Sequence, residues 1–336
     1  MSKVLLTTLD FPPQQGGVAR YLWALKQTFQ DEVDVLYWRK TPSKWEMWRD
    51  LTSGSAGYES IWVSHILPVG TMAYLAKFVT QKPYVIFLHG MDFDLARRNR
   101  WKKFLTRRIL KGARRVVTNS QALAYEVQSF VNIIEPMVVH PCVVDYFVGA
   151  SQATPLVADK TKVTLLTVSR LVERKGHIQV LEAIRNLPNV HYTIVGDGPY
   201  YGQIYFRIKD LGLEHRVRII RNASDEELPR IYQSADIFVM PTIKTEIDRE
   251  GFGIVYLEAQ LFKLPVIASN HPGVNEAVLD KVSGFLIEED IDTLREVIER
   301  LVNDSETRKR MGAVGRDFVL AGFTRDKQFP KLRELL

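Results

Sequence analysis

Short apolar segments alternate with longer segments of helical periodicity along the whole chain. In the first half the apolar segments lie at residues 3–8, 33–37, 60–63, 84–88, 115–118 and 137–139. In the second half they lie at residues 162–168, 190–195, 217–220, 235–240, 265–268 and 284–287. Strands that alternate with helices are typical of parallel sheets, because each connection must cross back over the sheet. The sequence therefore predicts two Rossmann-like α/β sheets.

A short polar segment at residues 150–160 (ASQATPLVADK) separates the two halves and suits a linker. With 336 residues and 46% hydrophobic content, the chain is long enough for two cores. We therefore expect an N-terminal domain over residues 1–150 and a C-terminal domain over residues 151–323. Two such sheets that face one another would bind ligands in a cleft at the carboxyl ends of their strands.

Composition limits the function classes. The only cysteine is Cys142, which excludes an intrachain disulfide and favours a reducing compartment. No run of about 18 apolar residues occurs, and residues 4–9 are too short for a signal peptide, so we expect no membrane span. The net charge of +6 comes from residues 1–150, which hold 19 Lys and Arg against 12 Asp and Glu; the remaining residues hold 26 against 27.

Several candidate ligand-binding groups directly follow predicted strands. Backbone amides at a helix start can bind phosphate, and cationic side chains suit a diphosphate. Taken singly, each candidate is equally explained as an ordinary turn, a structural histidine or a surface charge. The candidates are Gly16 and Gly17 before a predicted helix at residues 18–30, His89, Arg170, Lys175, Gly196 and Gly198.

The segment EGFGIVYLEA at residues 250–259 is the most informative motif for chemistry. It places Glu250 and Glu258 on either side of a predicted helix start, where Gly251 and Gly253 allow a ligand to approach the backbone. Glu250 can also simply complement the helix dipole, and Glu258 can be a solvated helix residue. Glu258 is surrounded by apolar residues, however, and a buried carboxylate without partners is costly, so a ligand rich in hydroxyl groups would satisfy it. The motif predicts sugar-nucleotide chemistry.

Taken together, these motifs resemble the retaining glycosyltransferases of family 4, which have the GT-B fold of two Rossmann domains. The resemblance covers essentially the whole chain. It rests on FPPQQGGVARYL (11–22), HG (89–90), SRLVERKG (169–176), VGDGP (195–199), SDEELPRIYQSADIFVMPT (224–242) and EGFGIVYLEA. Within the family, the chain is most similar to bacterial GDP-mannose-dependent α-mannosyltransferases of the phosphatidylinositol-mannoside type.

The resemblance implies a role for each candidate. The N-terminal domain would bind the acceptor, the C-terminal domain would bind the nucleotide sugar, and residues 324–336 would form a helix that returns to the N-terminal domain. His89, Arg170, Lys175 and Glu250 would act in catalysis; Gly16, Gly17, Gly196, Gly198, Gly251, Phe252, Gly253, Ile254, Val255 and Glu258 would complete the donor site. In this family retention is ascribed to attack on the face from which the nucleotide departs, with neither a metal nor another cofactor.

Two segments depart from the family pattern. Residues 141–145 (PCVVD) replace the Asn-Gly that relatives often have before Val-Asp, which concerns the hinge between the domains. Asp92 and Asp94 form a D-x-D triplet, which binds a metal in the other major glycosyltransferase fold. Because the remaining motifs match GT-B, we expect no metal here.

The basic segment at residues 97–115 holds ten Lys and Arg and no acidic residue, and we expect it to be helical until Gly112. Trp101, Leu105 and Ile109 would form an apolar stripe with Phe104 alongside. Such a helix can lie at an anionic membrane surface, here the inner face of the cytoplasmic membrane. An ordinary Rossmann helix that buries the stripe is the alternative, and both can hold together. The predicted membrane or acceptor contacts are Arg97, Arg98, Arg100, Trp101, Lys102, Lys103, Arg107, Arg108 and Lys111.

The sequence thus predicts transfer of a hexose, preferably mannose from GDP-mannose, to a lipid-linked or glycolipid acceptor. A UDP-sugar-dependent family 4 enzyme of polysaccharide synthesis is the main alternative. A sugar-nucleotide epimerase or a phosphorylase would share the architecture. The sequence pI of about 9.2 also prompts a nucleic-acid-binding protein, but no nucleic-acid motif accompanies the basic segment.

Overall fold

The computed structural model describes residues 3–14, 16–40, 42–132, 135–152, 162–243 and 250–336. The chain divides into two compact units, Met1–Cys142 with Arg325–Leu336, and Val143–Thr324. The second unit therefore already begins at Val143, before the predicted boundary at residue 150. Most of the predicted linker lies outside the described residues.

The first unit contains a parallel sheet of six strands. They are β1 Val4–Thr8, β2 Val33–Tyr37, β3 Ser60–Ser64, β4 Tyr84–Leu88, β5 Arg115–Thr118 and β6 Met137–Val138. The strand order is β2-β1-β3-β4-β5-β6. The order reverses between β1 and β3, and loops at such a switch point diverge and leave room for a ligand.

Helices connect these strands. They are α1 Gly17–Thr28, α2 Lys44–Gly54, α3 Thr71–Thr80, α4 Met91–Leu95, α5 Arg100–Gly112 and α6 Gln121–Val131, with a π-helical segment at Ile66–Gly70. Apolar residues of α2, α3, α5 and α6 share one core with Ile61 and Val63 of β3. The neighbouring Trp62 points to the opposite face, where it contacts Phe29 at the end of α1. The sheet is thus covered on both faces.

The second unit contains another parallel sheet of six strands. They are β7 Val163–Val168, β8 Val190–Val195, β9 Val217–Ile220, β10 Ile237–Met240, β11 Val266–Ser269 and β12 Gly284–Ile287. The strand order β12-β11-β10-β7-β8-β9 is the Rossmann order, in which the first and fourth strands of the unit lie side by side. The switch point therefore lies between β7 and β10.

The helices of the second unit cover both faces of its sheet. They are α7 Asp145–Ala150, α8 His177–Ile184, α9 Tyr201–Asp210, α10 Leu228–Gln233, α11 Ile254–Leu261, α12 Val274–Ala277, α13 Ile291–Asn303 and α14 Ser305–Gly322. Alternate residues of β10 enter different cores: Phe238 packs with α11 and α14, whereas Val239 packs with α8 and α13. This alternation follows from the pleat of a strand. The last residues, α15 Arg325–Gln328 and a 3-10 segment at Phe329–Leu335, belong to the first unit.

All twelve predicted strands occur, each with ends within two residues of the predicted ones, and every pairing between them is parallel. The predicted fold class is therefore confirmed. The apolar strand segments were readable because strands buried on both faces are apolar at consecutive positions.

Candidate functional site

The switch point of the second sheet brings together charged residues from distant parts of the chain. Lys175 ends a 3-10 turn, Glu173–Lys175, in the loop after β7, and Glu250 lies in the segment between β10 and α11. The Lys175 ammonium donates to Oε2 of Glu250, and the Arg174 guanidinium donates to the same oxygen at 3.0 Å. Each of the three side chains is no more than 12% exposed. Two predicted site residues thus form a buried ion cluster with Arg174, which the sequence had not indicated.

The loops after β7 and β10 meet because Gly176 lacks a side chain. Its φ of 72° lies in the left-handed region, and a Cβ atom there would be 2.0 Å from the carbonyl oxygen of Pro241. Two residues after Pro241, the Ile243 amide donates to the Arg174 carbonyl at 2.7 Å. These backbone contacts place the cations beside Glu250.

The cluster has strong electrostatic coupling. Burial alone would raise the pKa of Glu250, but the charges of Lys175 and Arg174 outweigh it and lower that pKa to about 2. Burial lowers the pKa of Lys175, although the nearby carboxylate of Glu250 opposes this. Among the described residues, this cluster holds two cations and one carboxylate. Two neighbouring cations suit an anionic ligand.

Glu258 lies within α11 and is 3% exposed. The Tyr232 hydroxyl, at the end of α10, donates to its Oε2 at 2.8 Å. The expected burial of Glu258 is therefore present, but a protein hydroxyl already supplies a partner. Tyr232 itself is fully buried and stacks on Phe262 with ring centroids 5.3 Å apart, which fixes the hydroxyl in place.

The start of α11 consists of half-buried and buried residues. Phe252 is buried and its ring contacts Phe323, so its side chain is directed into the protein core. Gly253 has a φ of 81°, and a Cβ atom on it would lie 2.4 Å from the Tyr256 ring. Gly251 and the first helical residues, Ile254 and Val255, are half-buried.

The other candidates of the second unit lie in neighbouring loops. Arg170 follows β7 and is exposed. Gly196 and Gly198 follow β8, where added Cβ atoms would lie 1.9 Å and 2.3 Å from the carbonyl oxygens of Ser169 and Leu171. The two glycines thus let the β8 loop pack on the β7 loop, which gives each of them a structural role. Their predicted contact with the donor stays a prediction.

In the first unit, His89 follows β4 and is held by three neighbours. Its Nε2 lies 3.0 Å from Oγ of Ser64, its amide donates to Asp92 at 2.9 Å, and its carbonyl accepts from the Asn119 side chain at 3.1 Å. Burial lowers the pKa of His89 to about 4, despite the nearby Asp92 carboxylate. His89 is thus neutral at pH 7.

His65, at the end of β3, is a second histidine at this edge that the sequence analysis did not single out. Its ring centroid is 5.8 Å from that of His89, and its Nε2 lies 3.0 Å from Oδ2 of Asp10. Burial opposes the charged form, but the carboxylates of Asp10 and Asp92 outweigh it and raise the pKa of His65. Its φ of 90° is rare for a residue other than glycine and marks local strain.

The remaining candidates of this unit are arranged as follows. Gly16 precedes α1 with open space around its Cα, and Gly17 is the first helical residue. Asp92 caps the His89 amide, whereas Asp94 pairs with Arg97, so the two carboxylates of the D-x-D triplet are engaged separately. Within the described ranges, no group of three or more His, Cys, Asp or Glu side chains is placed to hold a metal ion.

The helix α5 differs from its prediction in its first residue and in the exposure of its apolar residues. It begins at Arg100, not at Arg97, and Ile109 is fully buried against the sheet. Trp101 and Phe104 are 70% and 50% exposed. The stripe is therefore split because the helix turns its C-terminal apolar residues inward and leaves its N-terminal aromatic residues in solvent.

Most of the cations of this segment remain exposed. They are Arg98, Arg100, Lys103, Arg107, Arg108, Lys111 and Arg114, with Lys102 and Arg115 half-buried. Arg97 is an exception among the predicted membrane contacts. It pairs with Asp94 and Glu126, and its guanidinium lies 4.0 Å from the centre of the Phe93 ring. Arg97 therefore anchors the start of the segment to its own domain.

Two parallel six-stranded sheets with flanking helices define the GT-B fold. The structure superimposes on sucrose-phosphate synthase of Thermosynechococcus elongatus with a TM-score of 0.86 at 18% identity, covering 100% of this chain and 98% of the other. It superimposes on HepE of Anabaena, solved in complex with UDP, with a TM-score of 0.85 at 19% identity, covering 99% of each chain.

Comparison of sequences gives the family. The model for glycosyl transferases group 1 matches residues 151–318, and that for glycosyltransferase family 4 matches residues 35–146. The chain belongs to glycosyl transferases group 1 and is a glycosyltransferase of the family 4 type. It is 27% identical over 381 residues, spanning 99% of this chain and 98% of the relative, to the GDP-mannose-dependent alpha-(1-6)-phosphatidylinositol monomannoside mannosyltransferase of Mycolicibacterium smegmatis. The predicted family membership is confirmed.

Within the part of the chain that the structure describes, none of the helices is both long and apolar enough to cross a membrane.

Proposed function

We propose that the protein transfers a hexose, preferably mannose from GDP-mannose, to a lipid-linked or glycolipid acceptor with retention of the α configuration. The observation that carries the proposal is the ion cluster of Arg174, Lys175 and Glu250 at the switch point of the second sheet. Its two cations, together with the exposed Arg170 in the same loop, suit the diphosphate of a nucleotide sugar. The carboxylate of Glu250 in the same cluster suits sugar hydroxyls.

The proposed division of roles follows from these positions. Lys175 and Arg170 stabilise the negative charge that develops on the departing nucleotide. Glu250 and the amides before α11 bind the transferred sugar, and Glu258, oriented by Tyr232, binds the ribose. The acceptor hydroxyl forms its bond to the anomeric carbon on the face from which the nucleotide departs, and the departing phosphate accepts the proton of that hydroxyl, so that no protein nucleophile is required. His89, neutral at pH 7, positions the sugar through its ring and carbonyl.

The donor is tested by calorimetry and product analysis. We expect GDP to bind and UDP to bind more weakly, because the mycobacterial relative is named for GDP-mannose. Glu258→Gln should raise the Kd for the nucleotide, whereas Lys175→Met should chiefly lower kcat. Transfer only from UDP-sugars, the nucleotide present in the HepE structure, would overturn the donor assignment. A β-linked product by NMR would overturn retention, and loss of activity in excess EDTA would overturn the metal-free scheme.

The acceptor is proposed to reach the first unit at the inner face of the cytoplasmic membrane. The aromatic side chains of Trp101 and Phe104 are exposed on α5 among its cations, a combination that suits an anionic bilayer interface. The neighbouring α3 leaves Leu75, Phe78 and Val79 exposed along one side. Helices α3 and α5 are joined where the Lys77 ammonium donates to the Gly112 carbonyl at 2.9 Å. Helices α3 and α5 pack on the same face of the first sheet, so their exposed apolar and cationic groups lie on the same side of the first unit.

Vesicle co-sedimentation tests this surface. We expect binding to vesicles with anionic lipid that weakens as salt increases, and a loss of binding in Arg107→Glu/Arg108→Glu/Lys111→Glu. The matched control is Lys209→Glu/Lys309→Glu/Arg310→Glu, which makes the same charge change at exposed positions of the second unit. Equal binding to neutral and anionic vesicles, or equal losses in both variants, would contradict the proposed membrane surface.

A further inference from the structure

A buried chain of hydrogen-bonding groups lies next to the loop that carries Arg170 and Lys175. The distances are 3.2 Å from Oγ of Ser169 to Nε2 of His177, 3.4 Å from Nδ1 of His177 to the Tyr192 hydroxyl, and 2.7 Å from that hydroxyl to Oγ1 of Thr167. Thr167 in turn contacts the Val239 carbonyl. The side chains of His177, Tyr192 and Thr167 are at most 1% exposed.

Counting hydrogens fixes the direction of this chain. The Val239 carbonyl can only accept, so the Thr167 hydroxyl donates to it and must accept from the Tyr192 hydroxyl. The Tyr192 oxygen can then only accept from His177, which requires a proton on Nδ1. A neutral His177 leaves Nε2 as an acceptor for the Ser169 hydroxyl. Of the two neutral tautomers, only the one with its proton on Nδ1 gives each of these contacts a hydrogen.

We infer that His177, in the neutral form with its proton on Nδ1, is a positioning residue for the donor-binding loop after β7. It draws the Ser169 hydroxyl inward, and Ser169 directly precedes Arg170. The chain ties that loop to β7, β8 and β10, the strands on both sides of the switch point. This inference rests on the proposed role of Arg170 and Lys175 in binding a nucleoside diphosphate.

Changing the protonation of His177 would reverse the direction of its hydrogen bond with Ser169. A proton on Nε2 would donate to Ser169, whose own hydrogen would then turn to the Arg170 carbonyl, 3.1 Å away. Burial and the nearby charge of Lys175 both lower the pKa of His177, to about 4, although a hydrogen bond to the Arg170 backbone opposes this. Among the groups that face the imidazole, Lys175 carries the charge and Tyr192 is the other titratable side chain.

The first test reads the tautomer directly. In 15N-histidine-labelled protein at pH 7, we expect the His177 signals to show a protonated Nδ1 and an unprotonated Nε2, which is the minor tautomer of free histidine. The signals are assigned by their absence in His177→Phe. A protonated Nε2, in either a neutral or a charged ring, would overturn the inference, and this result does not depend on which donor the enzyme uses.

The second test separates positioning from folding. His177→Phe retains a ring of similar size, and no buried hydroxyl loses its acceptor, because Ser169 can donate to the Arg170 carbonyl and Tyr192 to Thr167. We therefore expect little change in the urea midpoint but an approximately tenfold rise in the Kd for GDP or UDP, whichever the wild type binds. His215→Asn, at an exposed position, is the control for loss of a histidine. Adding Ser169→Ala to His177→Phe should not raise the Kd for the nucleotide further, because both substitutions remove the hydrogen bond between Ser169 and His177.

An unchanged Kd in His177→Phe would overturn the positioning role. If the wild type binds neither nucleotide, the proposed function fails, whereas the tautomer measurement still decides whether the hydrogen-bond chain exists.

Discussion

The buried ion cluster at the second switch point makes a quantitative prediction for Glu250→Gln. The substitution keeps the shape of the side chain but removes the anion between Arg174 and Lys175. The pKa of Glu250 is about 2 instead of 4.5, so its charged form is favoured in the fold by about 3 kcal/mol, at about 1.4 kcal/mol per pKa unit. Breaking a buried ion pair by removing one partner typically costs about 3–5 kcal/mol. We therefore expect Glu250→Gln to lower the free energy of unfolding by about 3 kcal/mol at pH 7.

Lys175→Met should be much less costly than Glu250→Gln. The carboxylate keeps its contact with Arg174 in this variant, and burial no longer penalises an ammonium group, as it does in the wild type, where the pKa of Lys175 is lowered. The order of the two losses therefore tests the electrostatic description. The dependence on pH tests it again: a lowered carboxyl pKa stabilises the fold above pH 4.5, and this contribution disappears as the pH falls towards 2.

Urea unfolding can report the two compact units separately. All six tryptophans lie in the first unit, so tryptophan fluorescence follows that unit, whereas far-UV circular dichroism follows both. Glu250→Gln should lower the urea midpoint of the circular dichroism transition without changing the slope of the unfolding free energy against urea concentration. Glu306→Gln is the matched control, because Glu306 pairs with Lys309 at 2.8 Å on the surface of α14 and should leave the midpoint in place. A Glu250→Gln loss below about 1 kcal/mol, or a larger loss in Lys175→Met, would refute the reasoning.

Three further predictions concern stability and binding. Gly176→Ala should cost about 2–5 kcal/mol in urea unfolding, since it adds left-handed strain and a clash with the Pro241 carbonyl, whereas Gly202→Ala, in open space on α9, should cost nothing. The lowered pKa of His89 and of His177 keeps both side chains neutral in the fold at pH 5, whereas the unfolded chain protonates them. Each histidine should therefore lower the free energy of unfolding by about 2 kcal/mol at pH 5. A urea midpoint that does not fall between pH 7 and pH 5 would contradict this. Tyr232→Phe removes a hydrogen bond to a buried carboxylate and should cost about 1–3 kcal/mol in urea unfolding, with weaker nucleotide binding by calorimetry; unchanged values for both would show that Tyr232 does not hold Glu258.

The strands and the general position of the site could be predicted from the sequence, because both depend on local patterns. A buried parallel strand is apolar over consecutive residues, and ligand groups of such sheets follow the strand ends. The contact between Lys175 and Glu250 could not be predicted in this way. It joins residues 75 positions apart and depends on β10 lying beside β7, a property of strand order that no local pattern records.

The site residues that could not be predicted from the sequence lie in segments without a distinctive motif. Tyr232 is an aromatic residue on a short amphipathic helix, and nothing in the spacing indicates that its hydroxyl points to Glu258. His65 follows a strand as His89 does, so its position at a strand end was the available signal. Arg174 stands next to Lys175 in the same turn, but whether both of two adjacent cations reach one carboxylate depends on the course of the backbone.

The two carboxylates of residues 250–259 show why spacing alone does not define their chemistry. Glu250 shares one oxygen with two cations, so its charge is fixed and any sugar hydroxyl it binds meets an ionised carboxylate. Glu258 accepts from the neutral Tyr232 hydroxyl and is surrounded by apolar residues of α11. A glutamine at position 258 can still accept from Tyr232 through its amide oxygen, whereas a glutamine at position 250 leaves two buried cations without their anion. The same substitution therefore tests ligand binding at Glu258 and the integrity of the fold at Glu250.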